Sequence, residues 1–187
     1  YARLGEADRQ QIHLQIGRLL RRDRYDGGDE AALYDVVRHL NLGAARLTDA
    51  SERLDLAQMN LTAGLGAKAR GEYATAARSF EASAALLGEG GFAEEHELTF
   101  ALHAERAECE YLAGHFDRAL ALFDALLSHA RGNLEIARVH GMRVTLHAAQ
   151  GKNEDALAAG RAALSLLGID LPEDTRAAAD HELAEVA

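Results

Sequence analysis

Apolar residues recur at three- and four-residue spacings along most of this chain, and each such stripe predicts an amphipathic helix. Over residues 6–22, Ile12, Ile16, Leu19 and Leu20 share one face. After a break at Gly27-Gly28 the pattern resumes over 29–42 with Leu33, Val36, Val37 and Leu40. Asp49-Ala-Ser-Glu52 places an acceptor three residues before a glutamate, a capped start for a long helix running to about Ala69. A clean stripe over 73–87 joins Tyr73, Ala76, Ala77, Phe80, Ala84 and Leu87, and Gly88 to Gly91 end it. Helices over 93–113 and 116–130 follow, the second carrying Phe116, Ala119, Leu120, Phe123, Leu126 and Leu127. Two more span 133–150 and 154–167, with Asn153 as the expected N-cap of the latter. Leu171-Pro172-Glu-Asp restarts a helix, because proline is tolerated in a first turn.

The helices are punctuated in a fixed frame. Gly71-Glu-Tyr73-Ala-Thr-Ala76-Ala-Arg-Ser-Phe80 is echoed by Gly114-His-Phe116-Asp-Arg-Ala119-Leu-Ala-Leu-Phe123. A degenerate copy reads Gly151-Lys-Asn153-Glu-Asp-Ala156-Leu-Ala-Ala-Gly160. The copies begin 43 (114 − 71) and 37 (151 − 114) residues apart, inside the window of a helical-repeat array. Helix pairs are therefore expected over 6–43, 49–88, 93–131 and 133–168, with 172–187 as the orphan helix of a truncated repeat. The fold class is all-α, about nine helices in one domain spanning 1–187, read as a fragment of a longer chain.

In this frame the chain resembles tetratricopeptide-like repeats, which implies an antiparallel helix-pair array winding as a short right-handed α-solenoid. The resemblance implies that Gly64, Ala107 and Val144, each seven residues before a frame glycine, are the small residues of a close crossing. Ala76, Ala119 and Ala156 would face them. Val144 and Gly160 depart from that pattern and imply a different crossing in the third repeat. Transferred tetratricopeptide geometry lines a concave groove with Gln58, Leu61, Leu65 and Lys68 from the first repeat. It adds Glu108, Tyr111 and Leu112 from the second, and Arg138 and Thr145 from the third.

A narrower likeness rests on whole phrases. Leu33-Tyr-Asp-Val-Val-Arg-His-Leu-Asn41 and Met59-Asn-Leu-Thr-Ala-Gly64 are similar to the helical region of large bacterial signalling ATPases. So are Glu97-Leu-Thr-Phe-Ala-Leu-His-Ala-Glu-Arg-Ala-Glu-Cys-Glu-Tyr-Leu-Ala-Gly114 and Leu167-Gly-Ile-Asp-Leu-Pro172. In that family a serine/threonine-kinase domain and a P-loop ATPase domain precede the repeats, and a sensor with a histidine kinase or other output domain follows. None of the family's catalytic residues falls here, so the resemblance implies a segment that is not itself an enzyme. Its implied partner is a protein or peptide, from other domains of the same polypeptide.

Composition narrows the classes. One proline and 5% aromatics, with abundant Ala, Leu, Glu and Arg, suit helices throughout. No apolar run approaches the roughly 20 residues a membrane span needs. The lone Cys109 excludes an internal disulfide and fits a reducing compartment, which points to the cytoplasm. Residues 1–50 balance eight arginines against eight acids, so the formal net charge of −10 comes from the rest. An acidic surface of that kind argues against nucleic acid. The cluster Arg18, Arg21, Arg22 and Arg24 is interrupted by Asp23 and reads as a solvated helix end.

Candidate chemistry is thin. There is no phosphate-binding G-x-x-x-x-G-K-[ST], and Gly64-Leu-Gly66 belongs to a helix with no strand before it. Cys109 lies among Glu105, Glu108 and Glu110, which would raise its pKa and blunt its nucleophilicity. Of nine histidines, His103 and His140 occupy equivalent places in successive repeats, with His96 and His147 seven residues away from them. With Glu110 they are the only candidates for a zinc-like ligand set. No metal and no cofactor is expected. The favoured expectation is an interaction segment relaying state between domains. The alternative is a small-molecule sensor, as in regulators of the maltose-activator type that the fold resembles, with an enclosed polar pocket near His103, His140 and Arg138. A homodimer through the terminal helix, where Leu183 and Val186 are apolar, is a further expectation.

Overall fold

The computed structural model of the chain describes residues 5–25 and 29–171. The expected break at Gly27-Gly28 and the expected helix over 172–187 lie outside the described residues. Among the described residues all regular structure is helical. In order these are α1 (Glu6–Arg24), α2 (Glu30–Gly43), a 3₁₀ turn (Ala44–Arg46), α3 (Ala50–Ala69) and α4 (Tyr73–Leu87). There follow a short α5 (Gly91–Glu94), α6 (His96–Leu112), α7 (Phe116–His129), α8 (Asn133–Ala149) and α9 (Asn153–Leu166). The one helix expected over 93–113 is thus divided at Glu95, whose backbone leaves the helical region at φ −127°, ψ 55°. Two compact units are divided within α7, one up to Leu122 and one from Phe123 onward.

Local chemistry explains where the helices begin and end. Asp49 caps α3 by accepting from the Glu52 amide at 2.8 Å, as its spacing predicted. Asp29 caps α2 in the same way through the amides of Ala31 and Ala32. Asn153, expected to be the cap of α9, is instead its first helical residue; Lys152 precedes it without a side-chain cap bond. The frame glycines Gly71, Gly114 and Gly151 all have positive φ, at 77°, 84° and 71°. At each, the following amide reaches back five residues, Glu72 to Ala67, His115 to Glu110 and Lys152 to His147, at 2.8–2.9 Å. That is the closure in which a glycine just past the helix end satisfies the last carbonyls. Gly168 repeats it at φ 79°, with the Ile169 amide on the Leu164 carbonyl.

In the first unit α1 packs on α2, α3 on α4, and α4 against α6. One core joins Leu14, Leu33, Val36, Leu40, Leu56 and Leu86. A second joins Ala67, Ala76, Ala77, Phe80, Leu102 and Cys109. Two polar groups are buried inside this packing with their bonds made. Asn60 exchanges side-chain amide bonds with Asn41 at 2.8 and 2.9 Å and also donates to the Leu56 carbonyl. Ser83 donates to the Ala57 carbonyl at 2.6 Å. The arginines of α1 are not simply solvated: Arg18 makes a fork with Glu52, two bonds at 2.7 Å, and Arg21 meets Asp55 at 2.9 Å. Both tie α1 to α3.

Helix-interior glycines divide into two kinds. At Gly17 a Cβ would lie 2.6 Å from Leu40, and at Gly64 it would lie 2.5 Å from the Phe80 ring. The neighbour that Gly64 accommodates most closely is therefore the aromatic, not the facing Ala76. In the second unit α8 packs on α9 and the arrangement is exchanged. Val144 stands at the position of Gly64 in the glycine frame and Gly160 at that of Phe80, and a Cβ on Gly160 would rest 3.6 Å from Val144. The departure read in the sequence is one contact with its large and small members swapped. Nothing lies within 4 Å of a Cβ on Gly141. Gly141→Ala is accordingly expected to stabilise the chain by about 1 kcal/mol through helix propensity. The same change at Gly17 is expected to destabilise it, and urea denaturation separates the two signs.

His13 and His39 join α1 to α2 with their Nδ1 atoms 2.9 Å apart. Burial lowers the His39 pKa, the charges of Arg38 and His13 lower it further, and Asp35 opposes them. His140 in the second unit is lowered by burial and by Arg143. A histidine whose folded pKa is depressed binds its proton more readily in the unfolded chain. Its contribution is present above the unfolded value of about 6.5 and is lost as pH falls through the folded value. Thermal unfolding followed between pH 7.5 and 5 is expected to show a falling midpoint, with a shallower fall for His39→Gln.

Candidate functional site

The nine residues expected to line a groove are divided between the units. Gln58, Leu61, Leu65, Lys68, Glu108, Tyr111 and Leu112 lie in the first unit, and Arg138 and Thr145 in the second. Among the first seven the structure brings Lys68 and Glu108 together. The Lys68 ammonium on α3 bonds Glu105 at 2.7 Å and Glu108 at 2.9 Å, both on α6. Burial works against the charged ammonium, but its bonds to the two carboxylates outweigh that and raise its pKa. Glu105 was named in the sequence only as a neighbour of Cys109 and not as a groove residue, although it lies one helical turn before Glu108.

Apolar residues flank this ion cluster. Leu65, one turn before Lys68, is 44% exposed, and Leu112, one turn after Glu108, is 40% exposed. Gln58 is exposed on α3. Leu61 does not face solvent alone; it packs against the core around Phe80 and Leu102. Tyr111 is half-buried, with its ring centroid 6.0 Å from that of Phe116. On α8, Arg138 and Thr145 are exposed, and the Thr145 hydroxyl donates to the Gly141 carbonyl at 3.4 Å.

The residues considered for a zinc-like set are differently occupied. Glu110 is buried and pairs with His115 at 2.7 Å and with Arg118 at 3.8 Å. His103 sets its Nδ1 2.9 Å from the Thr99 carbonyl and stacks near Phe92. His96 is buried beside Phe92 and Phe100. Among the described residues no three His, Cys, Asp or Glu side chains are gathered to hold a metal ion. Nor is any described helix long and apolar enough to cross a membrane.

Cys109 is fully buried. Burial pushes its thiol up to about 11; Lys68 opposes this, and Glu105, Glu108 and Glu110 add to it. A thiol so placed is protonated at neutral pH and reacts only when the chain opens. Alkylation at pH 8 is expected to run about a thousandfold or more slower in the folded protein than in urea, in line with the small unfolded fraction. A fast reaction in the folded state contradicts that burial.

Clefts border these helices among the described residues. One of about 460 Å³ lies among Ser51, Arg53, Leu86, Gly91, Glu94 and Glu95, and Arg53 is already committed there, donating twice to the Leu86 carbonyl. A second, about 330 Å³, adjoins Arg53 and Leu86 and is mostly alanine-lined. A third, about 390 Å³, lies in the second unit between α8 and α9 and is lined by His140, Arg143, His147 and Asp155. Of the three residues of the sensor expectation it contains His140 but neither His103 nor Arg138, and it is open where an enclosed pocket was expected. Of its lining residues, Arg143 and Asp155 were not singled out in the sequence; the i, i+3, i+7 spacing of 140, 143 and 147 on one helix face was the available signal.

Comparison with known proteins finds a signalling relative. The chain is 24% identical over 173 residues to "Hybrid signal transduction histidine kinase G" of Dictyostelium discoideum. The alignment covers 80% of this chain and 5% of that protein. No protein-family profile matches the chain, and no solved structure matches it.

Proposed function

We propose that this chain is a non-catalytic interaction and regulatory segment of a signalling protein, built as a tetratricopeptide-like array. The repeated glycine closures at Gly71, Gly114 and Gly151, each following one helix of a pair, support the array. Likeness to a signal transduction histidine kinase supports the signalling context. The observation that carries the reading is the surface shared by α3 and α6. There a clamped cation, Lys68 between Glu105 and Glu108, sits between two exposed leucines, Leu65 and Leu112. Exposed apolar anchors beside a fixed charge cluster suit a helix or peptide laid across the surface. The partner is another domain of the polypeptide that carries this chain, and the setting is the cytoplasm.

The test is made in that full-length polypeptide. Leu65→Asp with Leu112→Asp is expected to uncouple its kinase or ATPase turnover from the input signal, while thermal unfolding of the chain stays as in the wild type. Turnover that still follows the input in the double variant contradicts the proposal.

A further inference from the structure

The cleft between α8 and α9 is lined by two histidines whose rings hold buried polar atoms that the fold itself does not satisfy. His147 is more than nine-tenths buried, yet its Nδ1 has no hydrogen-bond partner. His140, two turns earlier on the same face, also has a buried Nδ1 without a partner. Buried ring nitrogens are normally bonded, so two in one cleft mark a place where something else supplies the bond. Between them stands Arg143, which meets Asp124 at 3.4 Å. That distance is long for a charge-assisted pair and does not saturate five N–H donors. On the opposite wall, α9 contributes the exposed carboxylate of Asp155 and a floor of alanines at 158, 159 and 162. Small side chains there keep the space open.

We infer that this cleft binds a free α-amino acid. Arg143 and the imidazole N–H groups take its carboxylate, and Asp155 takes its ammonium. The lining selects this class over others. Asp155 opposes a phosphate or a dicarboxylate, whose charge is wholly negative. The described histidines and carboxylates do not gather three deep for a metal ion. A volume of about 390 Å³ suits a ligand of amino-acid size better than a folded peptide. Burial and the neighbouring Arg143 both disfavour the protonated form of His140, and the neutral ring offers one donor and one acceptor. This site shares no residue with the leucine-flanked surface on α3 and α6, so one can fail without the other.

The test uses the full chain with ¹⁵N-labelled histidine. Each of the twenty L-amino acids, succinate and inorganic phosphate is titrated to millimolar concentration while the imidazole signals are followed. At least one amino acid is expected to move the His140 and His147 signals saturably and leave those of His13 and His39 in place. Arg143→Gln is expected to weaken that binding about tenfold or more. Arg143→Lys keeps the charge without the fork and should fall between the two. Asp155→Asn should weaken the amino acid and, by removing the opposing carboxylate, strengthen succinate. Arg143 is half-buried but its pairing with the exposed Asp124 is long at 3.4 Å, so the variants' unfolding temperatures should stay close to that of the wild type. The inference is overturned if no amino acid moves both histidines, if Arg143→Gln leaves the affinity unchanged, or if succinate or phosphate binds as tightly as the best amino acid.

Discussion

Phe80→Ala is expected to remove about 3–5 kcal/mol of folding stability, the usual cost of emptying a fully buried aromatic site. Phe80 is 0% exposed and packs in the core with Ala67, Ala76, Leu102 and Cys109. It also fills the space that glycine leaves at position 64, where a Cβ would come 2.5 Å from its ring. Gly64→Val should therefore be strongly destabilising by itself, since ring and helix backbone have nowhere to move. Val144 and Gly160 show the same frame positions occupied the other way round. Combining Gly64→Val with Phe80→Gly should thus recover stability relative to the sum of the single changes, by a coupling of about 1–3 kcal/mol. Urea denaturation of the four species measures it. Strict additivity would show that the two sites do not share one crossing.

Lys68→Glu is expected to produce the largest change at the candidate surface. It removes two bonds to carboxylates, at 2.7 and 2.9 Å, and sets a third acid against Glu105 and Glu108. The side chains are about one-fifth exposed at Lys68 and Glu105, so solvent screens the repulsion only in part. A loss of about 1–3 kcal/mol is expected, in the range of hydrogen bonds to charged groups. Exchanging the pair, Lys68→Glu with Glu105→Lys, should recover much of that stability. Because the exchange reverses the sign of charge on α3, it should not recover partner binding. A double variant that regains stability and binding together would show that the cluster only holds α3 to α6.

The helices were legible because their apolar stripes are long and periodic, and the three frame glycines were legible because a positive φ at a helix end leaves few other choices. What escaped the sequence was the polar interior and the partnerships across helices. Asn60 looks like any helical polar residue until Asn41 is set opposite it. Arg18 and Arg21 looked like a solvated end because their partners, Glu52 and Asp55, lie 34 residues away. The division at Glu95 left no proline or glycine signal at that residue. At the candidate surface Lys68 and Glu108 came from the transferred tetratricopeptide geometry, whereas Leu61, placed in the same groove by that geometry, packs against the core. Arg143 and Asp155 stayed hidden because their significance lies in the unpartnered imidazoles beside them, which no pattern of residues displays.

The most direct test of the central proposal is a binding measurement between this chain and each isolated domain of the polypeptide that carries it, with Leu65→Asp as the paired variant. Leu65 is exposed, so its replacement alters the surface and spares the core. The proposal predicts that one domain binds the wild-type chain saturably and that Leu65→Asp abolishes the interaction. Binding by no domain, or binding that Leu65→Asp leaves unchanged, would contradict it.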